Sequence, residues 1–282
     1  MSTLYLVATP IGNLDDISVR ALRVLKEVHL ITAEDTRRTR KLLTHYQIKT
    51  PLTSYFDHNK HYKTVRILDA LDVGDVALVS DSGTPLINDP GYELVNAALD
   101  NDHTIRSIPG PTAPIAALVA SGLPSDAFLY LGYLPRKTGD RCAVLQDVSD
   151  LRYTLVFFEA PHRLISALED LLDVFGNRRI SIARELTKLH EEIFRGSVKE
   201  ALKYFSTQPP RGEFTLVVEG KEKSENIWAK ERLLSTIDQY KDSGLSQSKI
   251  AQQLARESGW SRREIYALLT QLNSEEEISD SK

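Results

Sequence analysis

The stretch Val79-Ser80-Asp81-Ser82-Gly83-Thr84-Pro85-Leu86-Ile87-Asn88-Asp89-Pro90-Gly91 decides the fold. The apolar run 76–79 predicts a buried strand, and the apolar spacing over 94–99 predicts a helix that follows the stretch. A strand that ends in small residues presents backbone N–H groups and hydroxyls at the carboxyl edge of a sheet, where open α/β sheets bind ligands. One such loop alone is more often an ordinary turn, so the interpretation depends on its repetition.

Three further loops of small or polar residues follow predicted strands, at 9–13, 34–36 and 109–114. The strands before them are 4–8, 29–33 and 104–108, and Ser18 is placed to cap the first of the intervening helices. Strands that alternate with helices at these lengths predict a mostly parallel sheet. Four loops at strand ends favour a ligand site over ordinary turns.

The alternation pauses around Ser121-Gly122-Leu123-Pro124, which predicts a domain boundary. Beyond it, the short gaps between strands favour a mixed sheet with strands at 128–134, 154–158, 180–184, 192–194 and 214–218. The predicted fold class is α/β, with two α/β domains at 1–122 and 123–221. A helical appendage with an acidic tail is expected at 222–282.

The appendage reads as three helices arranged like a helix-turn-helix. Ser261 and Glu264 form a capping box at the start of the third helix. Most such bundles pack or dimerise, and some contact nucleic acid. The charged segment 221–226 is expected to be a linker, and the tail from Glu275 is expected to be disordered.

Composition narrows the class of protein. The chain has 282 residues, 41% of them apolar and 26% charged, which is ordinary for a globular protein. It has no run of about 20 apolar residues, so no membrane span is expected. Cys142 is the single cysteine, so an intrachain disulfide and a thiolate metal cage are excluded, no metal is predicted, and a cytoplasmic location is expected. With a net charge of −4, RNA binding would need a local basic patch.

Known catalytic motifs are absent: the sequence has no P-loop, no G-x-G-x-x-G after a strand, no H-E-x-x-H and no G-x-S-x-G. The stretches of small and polar residues at the predicted strand ends resemble those of the ribosomal small subunit methyltransferase I family, a branch of the tetrapyrrole methylase superfamily. The resemblance runs from about Leu4 to Gly220. It rests on the stretch 79–91 together with Thr9-Pro10-Ile11-Gly12-Asn13-Leu14-Asp15-Asp16-Ile17, Ala33-Glu34-Asp35-Thr36-Arg37, Pro109-Gly110-Pro111-Thr112-Ala113, Glu159-Ala160-Pro161-His162-Arg163 and Ala183-Arg184-Glu185-Leu186-Thr187-Lys188.

The resemblance implies methylation of the ribose 2′-hydroxyl of a decoding-site cytidine in 16S rRNA, with S-adenosylmethionine bound in a cleft between two α/β domains. It places donor contacts on Pro10, Ser82, Gly83, Thr84, Pro85, Pro111, Thr112, Ala113, Phe158, Glu159, Leu186 and Phe214. Tetrapyrrole enzymes usually have Gly-Asp-Pro where this chain has Gly83-Thr84-Pro85, and this departure agrees with the ribosomal branch. Gly83 and Gly110 would let backbone approach a ligand closely, and the prolines would hold the loops open before binding.

Methyl transfer to a ribose hydroxyl needs alignment, and it benefits from a base or a charge near the oxygen. The ionisable groups near predicted strand ends are Glu34, Asp35, Asp81, Glu159, Glu185 and Lys188. Glu34, Asp35 and Lys188 are the chosen catalytic candidates, and an ion pair or a helix cap is the alternative for each. Lys188 could accept a proton only if burial lowered its pKa.

The densest basic run, Arg37, Arg38, Arg40 and Lys41, is predicted to contact RNA phosphates, with a solvated helix face as the alternative. Arg163 and Arg184 are further candidates that could touch RNA or orient loops. The expected partners are 16S rRNA or the small ribosomal subunit and a second copy of the chain. The rival hypotheses are methylation of a tetrapyrrole or small molecule, and a non-catalytic RNA-binding or regulatory role for the C-terminal helices.

Overall fold

The computed structural model describes residues 1–56, 60–207, 209–222, 228–241 and 245–279, and it divides into two units, Met1–Lys221 and Glu222–Lys282. The described strands are β1 (Thr3–Val7), β2 (Leu30–Ala33), β3 (Leu52–Ser54), β4 (Val76–Val79), β5 (Thr104–Ile108), β6 (Phe128–Tyr133), β7 (Thr154–Glu159), β8 (Arg179–Arg184), β9 (Glu192–Ser197) and β10 (Phe214–Val218). The helices are α1 (Val19–Glu27), α2 (Thr36–His45), α3 (Lys60–Val73), α4 (Tyr92–Asp100), α5 (Ala113–Ser121), α6 (Thr138–Val148), α7 (Leu164–Phe175), α8 (Val198–Ser206), α9 (Lys230–Lys241), α10 (Gln247–Ser258) and α11 (Arg262–Ser279).

The first sheet is parallel throughout, in the order β3-β2-β4-β1-β5, as the alternation of strands and helices predicted. Its central strand β4 is buried on both faces: Ala77 and Val79 pack with α1 and α2, while Val76 and Leu78 pack with α3 and α4. This explains its unbroken apolar sequence. Ser18 caps α1 as predicted, its hydroxyl accepting a hydrogen bond from the Ala21 N–H at 3.1 Å. The three-residue strand β3 was not predicted.

The second sheet is mixed, also as predicted, in the order β6-β7-β10-β8-β9. Strands β6 and β7 are parallel, and the other neighbours are antiparallel. Helices α6, α7 and α8 cover one face, where Phe157 and Leu216 are fully buried. Each such side chain stabilises the fold by about 1.5–3 kcal/mol relative to exposure.

Helix α5 covers the other face of the second sheet. Its Ala117 and Leu118 pack against Val156, Ala183 and Val217. The helix therefore lies in the layer of the second sheet although it precedes the boundary predicted at residue 122. The subdivision at that residue stays a prediction, since both sheets belong to the unit Met1–Lys221.

The unit Glu222–Lys282 is helical where it is described, and its core is formed by Leu233, Ile237, Ile250, Ala251, Leu254, Ile265 and Leu269. The predicted capping box is present: the Ser261 N–H donates to Oε2 of Glu264 at 2.9 Å, and the Glu264 N–H donates to the Ser261 hydroxyl at 3.2 Å. Helix α11 continues to Ser279, so the expected disorder from Glu275 is replaced by helix up to that residue. Most of the expected linker, 223–226, lies outside the described residues. In the described part of the chain, no helix is long and apolar enough to cross a membrane.

Candidate active site

A cleft of about 280 Å³ opens where the strand-end loops of the first sheet face the second sheet. The polar wall comes from the loops after β1, β2, β4 and β5. The other wall is more apolar and comes from β6, β7, β8, β10, the loop after β8 and Glu213. The lining residues are Ile11, Glu34, Arg38, Asp81, Ser82, Gly83, Thr84, Ile87, Asn88, Asp89, Thr112, Ala113, Pro114, Tyr133, Phe158, Ala183, Leu186, Glu213, Phe214 and Thr215.

Three loops on the polar wall are bonded to one another. The Thr9 N–H donates to the Gly83 carbonyl at 2.8 Å, and the Gly83 N–H donates back to the Thr9 carbonyl at 3.0 Å. The Thr84 hydroxyl donates to the Pro111 carbonyl at 3.1 Å. Gly83 has φ +84°, a conformation that side chains rarely adopt. The loops that the sequence singled out are thus held together before any ligand binds, which lowers the cost of ordering them.

Backbone strain is concentrated on both sides of the cleft. Leu86 and Asn88 have φ values of 72° and 65°, and Glu185 and Thr187 have values of 50° and 65°. Left-handed conformations in such residues cost energy and cluster at functional sites. Between the two sides lies Gly12, where an added Cβ would stand 2.5 Å from Cγ of Lys188 and 2.9 Å from the Leu186 carbonyl oxygen. Only a residue without a side chain fits this contact as it stands.

Four carboxyl groups line the cleft: those of Glu34, Asp81 and Asp89 on the polar wall, and that of Glu213 on the other wall. Burial, followed by the negative charges of Glu34 and Asp81, raises the pKa of Asp89 to about 6, although a hydrogen bond from Ser80 opposes the shift. A carboxyl group that titrates this close to neutrality is suited to exchange protons with a substrate. Asp89 was not a predicted catalytic residue, because its pKa shift arises from burial and from the charges of Glu34 after β2 and Asp81 in its own loop.

Asp35 does not line the cleft. It caps α2, accepting the Arg37 N–H at 2.8 Å, and it pairs with the Arg37 guanidinium at 2.8 Å. The side-chain hydrogen bond from Arg37 lowers the pKa of Asp35 to about 2, so this carboxylate is a weak base. The structure therefore places Asp35 in the alternative role of helix cap and ion pair.

Lys188 contacts two carboxylates, Glu185 at 2.9 Å and Glu213 at 3.0 Å. Partial burial favours a lower pKa for Lys188, but the hydrogen bonds and charges of the two glutamates outweigh it, so its pKa lies above the ordinary value. The condition for its use as a base, a lowered pKa, is not met. Lys188 instead joins the loop after β8 to the residue before β10.

Glu159 and Arg163 form an ion pair at 2.5 Å, with side-chain exposures of 0% and 13%. Burial raises the pKa of Glu159, although the Ala160 N–H and Arg163 both oppose the shift. Neither residue lines the cleft, and Arg163 also donates to the Leu134 carbonyl at 3.2 Å. This arrangement favours the loop-orienting role of Arg163 over RNA contact. Arg184 is similarly engaged, with Glu192 at 3.2 Å and the Arg211 carbonyl at 2.7 Å.

Of the predicted donor contacts, Ser82, Gly83, Thr84, Thr112, Ala113, Phe158, Leu186 and Phe214 line the cleft. Pro10, Pro85, Pro111 and Glu159 are not among the lining residues. Of these, the Pro111 carbonyl accepts from Thr84, and Glu159 pairs with Arg163. Among the predicted RNA contacts, Arg38 lines the cleft and lies 3.5 Å from Asp81. Arg37, Arg40 and Lys41 line a shallow groove on α2 instead. Tyr133, Glu213 and Asp89 also line the cleft but were not among the predicted site residues. Tyr133 and Glu213 belong to none of the quoted motifs, whereas Asp89 lies in the stretch 79–91 without a signal that singles it out.

The sequence profile of the family Tetrapyrrole (Corrin/Porphyrin) Methylases matches residues 3–202. The chain is 44% identical over 274 residues to the Ribosomal RNA small subunit methyltransferase I of Halalkalibacterium halodurans, covering 95% of each chain. It is 45% identical over 278 residues to the protein of the same name from Synechocystis sp., covering 98% of this chain and 100% of that one. The chain belongs to the ribosomal RNA small subunit methyltransferase I family. The predicted family and reaction class, methyl transfer from S-adenosylmethionine, are confirmed.

Solved structures agree on the fold of this family member. Diphthine synthase matches with a TM-score of 0.59 at 15% identity, covering 78% of this chain and 90% of that one. Uroporphyrin-III-C-methyltransferase from Thermus thermophilus matches with a TM-score of 0.54 at 22% identity, covering 77% and 94%. At these identities the likeness shows the fold alone, and it confirms the predicted tetrapyrrole-methylase architecture.

Proposed function

We propose that the protein methylates the ribose 2′-hydroxyl of a decoding-site cytidine in 16S rRNA, acting in the cytoplasm as a homodimer. One observation carries the proposal: the cleft with three mutually bonded loops occurs in a chain 44–45% identical, over nearly its whole length, to rRNA small subunit methyltransferases. Light scattering of the purified protein tests the dimer.

The cleft suits the methyl donor. Its volume of about 280 Å³ is close to the lower end of the range for small-molecule pockets, about 300 Å³, as a folded ligand would require. Ser82, Thr84 and Thr112 offer hydroxyls on one wall, and Phe158 and Phe214 offer rings on the other. When bound, S-adenosylmethionine supplies an electrophilic methyl group, whose bond to sulfur breaks with the electron pair remaining on sulfur.

Asp89 is the group to which we assign the proton of the ribose hydroxyl. As the oxygen forms its bond to the methyl carbon, its proton passes to the Asp89 carboxylate, and the oxygen never has to carry a full negative charge. A pKa of about 6 leaves this carboxylate mostly ionised above pH 7 and more basic than an ordinary aspartate. Glu34, a catalytic candidate from the sequence, contributes the charge that helps to raise this pKa.

Basic residues beside the cleft would hold the RNA. Arg38 lines the cleft with its side chain 65% exposed, and Arg40 and Lys41 extend the positive surface along α2. Their charges would neutralise phosphates next to the reacting ribose. Because the net charge of the whole chain is −4, this local patch supplies the attraction.

Mass-spectrometric mapping of ribose methylation in small-subunit rRNA tests the proposal. Cells that lack the protein should lose one 2′-O-methylcytidine, and the wild-type chain should restore it while Asp89→Asn should not. Unchanged methylation in the deletion cells would overturn the assignment. Transfer of label by the purified protein to a porphyrinoid but not to rRNA would establish the rival small-molecule function.

A further inference from the structure

The loop 134–137, which we call the clamped loop, follows β6 directly after the cleft residue Tyr133. All four of its backbone carbonyls accept hydrogen bonds. The Leu134 carbonyl accepts a hydrogen bond from Nη1 of Arg163 at 3.2 Å. Nη1 of Arg141 donates to the Pro135 carbonyl at 3.2 Å and to the Arg136 carbonyl at 3.3 Å. The Lys137 carbonyl accepts the Arg141 N–H at 2.9 Å in the first turn of α6. The loop has one defined backbone path.

Arg141 is the centre of this clamp and is itself buried, at 1% exposure. Its Nε and Nη2 both lie 2.5 Å from Oδ2 of Asp170 on α7, and Nη2 also donates to the Thr138 hydroxyl at 3.2 Å. A buried guanidinium is tolerated only when its charge and its donors are satisfied. Moving the clamped loop would leave Arg141 donors without partners, so the loop is held rigidly.

Arg136 and Lys137 carry the positive charge of the clamped loop. Both residues are exposed, and within the described parts of the chain neither forms an ion pair with a carboxylate. Two such cations on a rigid loop can bind an anionic partner at a small entropic cost, because the loop backbone is already ordered before the partner binds. They also stand three or four positions along the chain from a cleft wall.

We propose that Arg136 and Lys137 form a preordered contact for rRNA phosphates beside the cleft, positioned by the buried Arg141–Asp170 pair. This inference rests on the proposed function, since it takes RNA as the substrate. It adds a second basic surface, carried by the second sheet, to that of α2 on the first. A substrate strand held by α2 and by the clamped loop would be gripped from both walls of the cleft.

The test compares the double variant Arg136→Ala/Lys137→Ala with the control Lys199→Ala/Lys203→Ala, which removes the same charge from exposed positions on α8. Methyl transfer to small-subunit rRNA and binding of that rRNA are measured at several salt concentrations. We expect the first variant to raise the KM for rRNA at least tenfold while the KM for donor stays within twofold. The slope of log affinity against log salt should become shallower by about 1.4–1.8, the amount for two lost phosphate contacts.

Arg141→Lys tests the positioning role, since one ammonium cannot hold Asp170 and two carbonyls as the planar guanidinium does. We expect a raised KM for rRNA with kcat at saturating rRNA within twofold of wild type, in protein that unfolds cooperatively. Equal KM effects in the α8 control and in Arg136→Ala/Lys137→Ala would overturn the inference, and so would an unchanged salt slope in the latter. Absence of rRNA methylation by the wild-type protein would instead overturn the proposed function.

Discussion

Gly12 and Lys188 pack closely against each other, with an ideal Cβ at Gly12 only 2.5 Å from Cγ of Lys188. The loop after β1 and the loop after β8 therefore fit together only because position 12 has no side chain. On the far side of the contact are Glu185 and Thr187, whose backbones are already in the left-handed region. Each of these two loops carries a residue that lines the cleft, Ile11 on one and Leu186 on the other.

Gly12→Ala should therefore push the loop 185–188 outward and weaken donor binding by about tenfold. Overpacking of this kind also costs about 1–3 kcal/mol of stability. Titration calorimetry with S-adenosylmethionine and thermal unfolding measure the two effects. Gly139→Ala on α6, where a Cβ meets nothing within 4 Å, is the matched control and should bind the donor normally. Equal behaviour of the two variants would refute the role given to the contact.

Asp89→Asn should lower kcat at least a hundredfold, as expected for loss of a general base. In the wild type, kcat should rise with pH through about 6, because the carboxylate form is the active one. The groups that interact with Asp89 include Glu34, Asp81 and the phenol of Tyr130. Burial raises the pKa of Tyr130, and the negative charge of Asp89 adds to this shift. A pH–rate profile at saturating substrates checks this, and a profile without an acidic limb near 6 would contradict it.

The same substitution should stabilise the protein at neutral pH. The pKa of Asp89 rises from 3.8 to about 6 on folding. Its contribution to the free energy of unfolding is therefore fully present below pH 3.8 and is lost as the pH rises through about 6. Removing the charge should raise the free energy of unfolding by about 1–2 kcal/mol at pH 7.5, after allowance for the partial exposure of Asp89. At about pH 3.5 it should have no effect. Urea unfolding at the two pH values measures it. A loss of stability at pH 7.5 would refute the account.

Glu34→Gln separates a direct from an indirect role for Glu34. Because its charge raises the pKa of Asp89, its removal should shift the acidic limb of the pH–rate profile to lower pH while leaving kcat at pH 8 within about threefold. The exposed Glu27→Gln on α1 is the control and should leave the limb in place. If the limb and the activity disappear together, Glu34 rather than Asp89 is the base.

Arg163→Leu should cost about 3–5 kcal/mol, because it leaves the fully buried Glu159 without its cation. The cost should fall as the pH is lowered, since the unpaired carboxyl can then be protonated. Arg179→Leu removes an exposed partner of Glu219 and should cost less than about 1 kcal/mol. Denaturation curves from pH 5 to pH 8 measure both. A loss below 1 kcal/mol for Arg163→Leu, with weaker RNA binding, would favour RNA contact instead.

Arg40→Ala/Lys41→Ala on α2 should weaken rRNA binding and make its salt dependence shallower by about 1.4–1.8 in slope. Arg37→Ala should change the slope by less than the roughly 0.7–0.9 of one lost phosphate contact, because the Arg37 guanidinium is already paired with Asp35. Filter binding at several salt concentrations checks both variants. A change of about 0.7–0.9 for Arg37→Ala would mean that the Asp35 pair does not withhold Arg37 from the RNA.

The elements that sequence could predict were those encoded by neighbouring residues. Small residues and prolines after apolar runs located the loops at Gly83 and Pro111, and a two-residue pattern located the capping box of Ser261 and Glu264. The charge state of Lys188 was not accessible in this way, because one of its two carboxylate partners, Glu213, lies 25 residues further along. Asp89 was missed for a similar reason, since burial and the charge of Glu34, which lies 55 residues earlier, raise its pKa together with Asp81 from its own loop.

Helix α5 has a consequence for how the molecule could be divided. It follows the loop that hydrogen-bonds Thr84, yet its apolar face is seated on Val156, Ala183 and Val217. If the chain were divided after Gly122, the C-terminal fragment would lack the helix that covers one face of its sheet. The N-terminal fragment would then carry α5 with its apolar face exposed to solvent. Division of the chain before Pro109 keeps α5 with the sheet it covers, so two fragments that reassemble should be designed with that boundary.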